Sequence, residues 1–310
     1  MIALVAMAAL LTLTGLAIAD RSHAVTFKSA LQPEPLEAPT LQSSPTMLPA
    51  TPTPTATRVR REHPAVTSPK VAPTTFLPGR GPALPGELVY TGRRIDVYAG
   101  NYTFTAEQVA ELGVKAERAL TYIQRRFAVE LTSRASVGVY SKGMAPSSDT
   151  RGIAYTDARI IRIFYRSGED THKALVILAH ELAHQLQAEA YGTEAQSRAD
   201  TILLEGLATW IAGEYWLSLS GAPSWQACAR ELVQAGYGRN LLTLGQTTDP
   251  DVAYELWAAF VDYLANTYGW DKFNALYTSG RGRAPGSADY MGIYGKSLSE
   301  LADEWRTTLQ

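Results

Sequence analysis

The chain has 310 residues, 46% of them hydrophobic and 19% charged, with a formal net charge of −2. A pI near 6.2 argues against a basic nucleic-acid binder, whose domain pI generally exceeds about 9, and the single long apolar run excludes a multi-pass membrane protein. The averages conceal a division: 13 of the 17 prolines lie between Pro33 and Pro85, all six tryptophans lie beyond Pro85, and the net charge passes from +3 over the first 85 residues to −5 over the remaining 225.

From Ile2 to Ala19 the sequence is apolar except for Thr12, Thr14 and Gly15. Ala17-Ile18-Ala19 ahead of Asp20 has the small-x-small form that ends a secretory signal peptide. The run also approaches the roughly 20 residues of a membrane anchor. Only the chain's own amine precedes it, and Arg21 and Lys28 follow it, an arrangement that disfavours export under the positive-inside rule. Even so, such a run seldom opens a soluble domain. Residues 1–19 are read as a signal peptide or a single N-terminal membrane anchor, and the protein as extracytoplasmic, either secreted or membrane-anchored. Residues 20–85 are rich in Pro, Thr, Ser and Ala, with Pro49-Ala50-Thr51-Pro52-Thr53-Pro54-Thr55 as the densest part. Too few large apolar side chains are present to offset chain entropy, which predicts a disordered linker. Residues 86–310 then form one domain, large enough to bury a sizeable core.

Within that domain, residues 87–98 read as two strands around a turn at Thr91-Gly92. Thr105 and Gln108 have capping-box spacing, and a helix is predicted from there to about Arg126. Its apolar positions Val109, Leu112, Ala116 and Leu120 recur at helical spacing. Strands are expected at 135–140, 152–155 and 159–165, the last rich in isoleucine and able either to lie in the sheet or to align an extended peptide by strand addition. From Thr171 the pattern turns helical to the end. The expected class is α+β, a small N-terminal sheet with one helix followed by a helical half. The lone Cys228 excludes an intramolecular disulfide framework and reads as a buried thiol within a helix.

The first helix of the second half reads Leu175-Val176-Ile177-Leu178-Ala179-His180-Glu181-Leu182-Ala183-His184-Gln185-Leu186. This is H-E-x-x-H on an apolar helix. Residues i and i+4 share a face, so His180 and His184 can hold one zinc ion, and Glu181, rotated by about 100°, can act as general base. Apolar flanks place these polar groups in or near the core, where unpartnered charge is costly. The alternative is a pair of hydrogen-bonded core histidines. No histidine follows His184, so a third ligand is expected to be a carboxylate, from among Glu189, Glu194, Asp200, Glu205 and Glu214. Glu189 and Glu194 follow too closely to return to the metal. Glu205 is a lone carboxylate among leucines, and Gly206 beside it permits close helix approach. Glu214, nine residues on, lies about 180° around the helix and is expected to face the other way. Glu205 is the expected third ligand.

These residues resemble the gluzincin metallopeptidases, and among them the small peptidase MA-like proteins. The resemblance covers about residues 87–310 and rests on Ala179 to His184 and on Glu205-Gly206-Leu207-Ala208-Thr209-Trp210. Tyr254, Phe260-Val261-Asp262-Tyr263-Leu264, Tyr268-Gly269-Trp270 and the closing Leu298-Ser299-Glu300-Leu301 with Glu304-Trp305 add to it. It implies His180, His184 and Glu205 as zinc ligands and Glu181 as general base. Where some gluzincins support a histidine with an acidic residue four positions after the third ligand, this chain has Thr209.

The reading implies hydrolysis of a peptide or protein substrate, with water occupying the fourth zinc position. An additional donor for the oxyanion is expected from Tyr254, near the start of a predicted helix. Tyr263, nine residues on, points the opposite way, and His172 reads as a surface residue at a helix start. The rival expectation is a non-catalytic surface binding module on the same fold. A retained Glu181 argues against that rival, because a binding module needs no base.

Overall fold

A computed structural model of the chain describes residues 82–100, 104–165 and 171–310, which lie in a compact unit spanning Val59–Gln310. The expected export segment at 1–19 lies outside the described residues. So does the expected linker, apart from residues 82–85, which carry no regular structure.

The architecture is α+β, with a five-stranded sheet followed by a helical half. The expected hairpin forms from β1 (Glu87–Thr91) and β2 (Ile95–Ala99), paired antiparallel. Helix α1 (Ala106–Phe127) begins with the capping box at Thr105 and Gln108. Its stripe of Val109, Leu112, Ala116 and Leu120 is buried, against β1 and β2 on one side and the next helix on another. Glu117 on α1 accepts from the backbone N–H groups of Arg94 and Ile95 at 2.6 and 2.9 Å, fixing the helix to the start of β2.

Three more strands follow, β3 (Ala135–Ser141), β4 (Gly152–Tyr155) and β5 (Ile160–Tyr165). The sheet order is β1-β2-β3-β5-β4. Strand β5 is parallel to β3 on one side and antiparallel to β4 on the other. Strand addition at 159–165 is therefore overturned, because both edges of β5 are already hydrogen-bonded. The sheet instead ends at β4, the shortest strand.

Helix α2 (Thr171–Tyr191) carries the H-E-x-x-H segment. Sixteen of its 21 residues are buried, because it lies between the sheet and the other helices and so needs apolar residues nearly all round. Two contacts set its position against β5. The Ala174 N–H donates to the Tyr165 hydroxyl at 2.8 Å, and Arg159, with a left-handed φ of 57°, forms a buried ion pair with Glu189.

The chain continues through α3 (Thr193–Arg198), α4 (Thr201–Ala212), α5 (Glu214–Ser220), α6 (Trp225–Gln234) and α7 (Leu244–Thr247). It closes with α8 (Pro250–Tyr268), α9 (Trp270–Thr278), α10 (Tyr290–Tyr294) and α11 (Leu298–Thr307). Gly206 does allow close approach: a Cβ there would sit 2.7 Å from the Trp257 carbonyl oxygen, so α4 and α8 pack backbone to backbone. Among the described residues, no helix is long and apolar enough to cross a membrane.

Candidate metal centre

The structure brings together His180 and His184 from α2 and Glu205 from α4, with one ligand atom of each within 4.8 Å of the others. Glu205 Oε2 lies 3.2 Å from His180 Nε2 and 3.3 Å from His184 Nε2. Ligand atoms around a tetrahedral zinc with bonds of about 2.0–2.1 Å are about 3.3–3.4 Å apart. The two spacings are therefore compatible with ligands sharing one metal ion of about that size.

Hydrogen bonding behind the histidines supports the same assignment. Gln187 lies three residues after His184 and is buried. Its Nε2 donates to the Leu204 carbonyl at 2.8 Å, which turns its Oε1 toward His184 Nδ1 at 2.9 Å. An amide oxygen only accepts, so His184 carries its proton on Nδ1. His184 Nε2 then faces Glu205 Oε2 with either a second ring proton or, in the neutral ring, a lone pair that a shared metal ion could take up. The Leu204 contact also locks α4 to α2 one residue before Glu205. His180 Nδ1 lies 3.3 Å from the Thr209 hydroxyl. Thr209, four residues after Glu205, therefore touches the histidine as a neutral hydroxyl.

The electrostatics are those of a site that attracts positive charge. Burial alone would lower His184, but the Glu205 carboxylate outweighs it and pushes the imidazole up to about 9. Burial would raise Glu205, yet His184 and His180 hold it well below the usual carboxylate range. His180 is lowered by burial.

Glu181 is 7% exposed, and burial pushes its carboxyl up to about 7. It lies against the backbone of β4, close enough for the Ala154 N–H to favour its charged form. A Cβ on Gly152 would sit 2.4 Å from Glu181 Oε1, so the strand leaves only enough room for this carboxyl.

Tyr254 on α8 stacks on His180, with ring centroids 5.4 Å apart and planes 7° apart. Trp216, fully buried, packs against both rings, 5.3 Å from His180 and 5.8 Å from Tyr254. The Tyr254 phenol is raised, first by the Glu205 charge and then by burial, so it stays a donor. Glu181, Tyr254, His180, His184 and Glu205 all line one cleft of about 460 Å³ beneath β4. Arg151, which lines the cleft just before β4, forms a two-point ion pair with Asp251 at the start of α8.

The other residues named from sequence lie elsewhere. Glu189 pairs with Arg159 and accepts from Thr132, and Glu194 pairs with Arg198 on the surface. Asp200 caps α4 through the Ile202 N–H at 2.9 Å and also accepts from the Tyr290 hydroxyl. Glu214 is exposed, but not for the expected reason. The α4 helix stops at Gly213, whose φ of 56° and ψ of −121° turn the chain into α5. Tyr263 approaches Glu304, and His172 bonds Ser218, both away from the cleft. The Cys228 thiol is buried and pushed up to about 12, first by burial and then by the Glu255 charge, which leaves it inert.

Sequence reasoning missed Gln187, although a polar residue at i+3 from His184 in an apolar helix was a usable signal. It also missed Gly152, Arg151 and Trp216. No protein-family model matches the chain, and no curated protein matches it significantly.

Proposed function

We propose that the chain is an extracytoplasmic zinc-dependent metallopeptidase of the gluzincin type, related to the peptidase MA-like proteins. The observation that carries the reading is the approach of one Glu205 oxygen to both histidine Nε2 atoms at 3.2 and 3.3 Å, with Glu181 and Tyr254 in the same cleft. The donor set of two imidazoles and a carboxylate is one that zinc takes in hydrolytic sites. The extracytoplasmic placement rests on the apolar run at 2–19.

Zinc held by His180, His184 and Glu205 supplies Lewis acidity, polarising a peptide carbonyl and acidifying water. The chain's own groups do the rest. Glu181, packed against β4 and with its carboxyl pushed up to about 7 by burial, has the balanced proton affinity of a general base at neutral pH. Its carboxylate takes the proton from the attacking water and returns it to the leaving amine. The Tyr254 hydroxyl donates to the carbonyl oxygen as that atom gains negative charge. Strand β4, at the sheet edge and lining the cleft, offers backbone groups along which an extended peptide can lie.

Elemental analysis of the protein paired with Glu181→Gln tests this reading. The expected result is about one zinc per chain, as a three-ligand hydrolytic site requires, with peptide hydrolysis lost and zinc kept in the variant. A protein that holds no metal would overturn it. Zinc binding without hydrolysis of any peptide in a mixed library would favour the surface binding module instead.

A further inference from the structure

One end of the cleft carries a cation that the proposed chemistry does not use. At the end where β4 begins, Arg151 is already neutralised by Asp251. At the end beyond Tyr155, the cleft is lined by Thr156, Gln196, Leu204 and Arg283. The Thr156 hydroxyl bonds Gln196 Oε1 at 2.8 Å, and the next residue, Ser197, accepts from Arg283 Nε at 3.1 Å, which places these groups together.

Arg283 is exposed, yet its backbone is held. The Gly282 N–H donates to the Arg198 carbonyl at 3.0 Å, and the Thr201 hydroxyl donates to the Arg283 carbonyl. With Nε committed to Ser197, the terminal Nη groups remain for the cleft. None of the ion pairs among the described residues includes Arg283. Arg283 and Glu205 line the same cleft. A guanidinium with fixed Nε and unpaired Nη groups is a fork suited to a carboxylate.

We propose that Arg283 is a specificity-determining residue that receives a carboxylate of the bound peptide, on the Thr156 side of the bond to be cut. The inference rests on the peptidase reading for the location of that bond. The carboxylate comes either from an aspartate or glutamate side chain or from the peptide's own C-terminus.

The test is binding of fluorescein-labelled peptides to the zinc-loaded full chain carrying Glu181→Gln, followed by anisotropy. One series replaces glutamate by glutamine, and another amidates the C-terminus. Acidic peptides are expected to bind about 10–100-fold more tightly than their neutral counterparts, the range for hydrogen bonds to charged groups. Adding Arg283→Ala is expected to abolish that difference while leaving neutral peptides unchanged. Arg283→Glu is expected to shift preference toward lysine-containing peptides. Loss of preference on amidation alone assigns the C-terminal carboxylate, and loss on glutamate replacement alone assigns a side chain. Equal weakening of neutral and acidic peptides by Arg283→Ala, no effect of that substitution, or no binding of any peptide overturns the proposal. Hydrolysis by the unsubstituted chain is measured separately, so an inactive protein that still prefers acidic peptides through Arg283 counts against the peptidase reading and not against this one.

Discussion

Two neutral side chains stand behind the two histidines of the candidate metal centre. Gln187 receives the Nδ1 proton of His184, and Thr209 meets Nδ1 of His180. A carboxylate in either place would add charge and raise the basicity of the ring, whereas an amide or a hydroxyl mainly orients it. Of the two, Gln187 is the more constrained, because its Nε2 is fixed on the Leu204 carbonyl and its Oε1 can do nothing but accept. Gln187→Ala leaves the Nδ1–H of His184 without that acceptor and frees the ring to turn. Zinc affinity is expected to fall about 10–100-fold, the usual cost of losing such a partner. Competition with a chromophoric chelator measures it, and an unchanged affinity would show that the helix backbone alone orients His184.

At the scale of elements, β4 and α2 share a narrow contact, and Gly152 makes it possible. Its φ is not in the left-handed region, so alanine fits the strand backbone, but the added Cβ meets the Glu181 carboxyl at 2.4 Å. Gly152→Ala is therefore expected to displace the base without touching the ligands. Hydrolysis should drop by about 10²-fold or more, within the range general-base catalysis contributes, at unchanged zinc content. The double variant with Glu181→Gln should be no worse than Glu181→Gln alone, since both act through one carboxyl. An additive double variant would refute the shared mechanism. This contact was not legible in the sequence, whereas the meeting of His180, His184 and Glu205 was. His180, Glu181 and His184 are fixed by helical spacing, Glu205 by its isolation among leucines, and the start of α1 by a local cap. The interior place of β5 depends on strand order, which pairs residues far apart in sequence. The break at Gly213 turned on one glycine's backbone angles. Arg283 reaches the cleft only because its loop is tied to residues 197–201.

At the scale of the whole molecule, α2 is the wall shared by the sheet and the helical half, and the proposed metal joins it to α4. Metal binding is then coupled to folding of both halves. Without metal, the charges of these side chains add a pH dependence with a definite sign. His184 is raised to about 9 in the folded chain and Glu181 to about 7, against roughly 6.5 and 4.3 when unfolded. Both bind more protons folded than unfolded, so the stability they confer is complete below the unfolded values and is lost as pH rises through the folded ones. The depressed groups, Glu205 and His180, have the opposite sign but act below about pH 6.5. The metal-free protein is therefore expected to lose thermal stability steadily from about pH 6.5 to 8.5. Zinc takes the place of the ligand protons, so its binding strengthens over the same interval. At free zinc about 100 times its dissociation constant, the gain is about 2.7 kcal/mol, or about 5–11 °C in Tm for a domain of this size. Calorimetry with zinc and with a chelator should show this gap widening with pH, with the sheet and the helices melting in one transition. A Tm indifferent to chelator across that range would leave His180, His184 and Glu205 as a buried hydrogen-bonded cluster and nothing more.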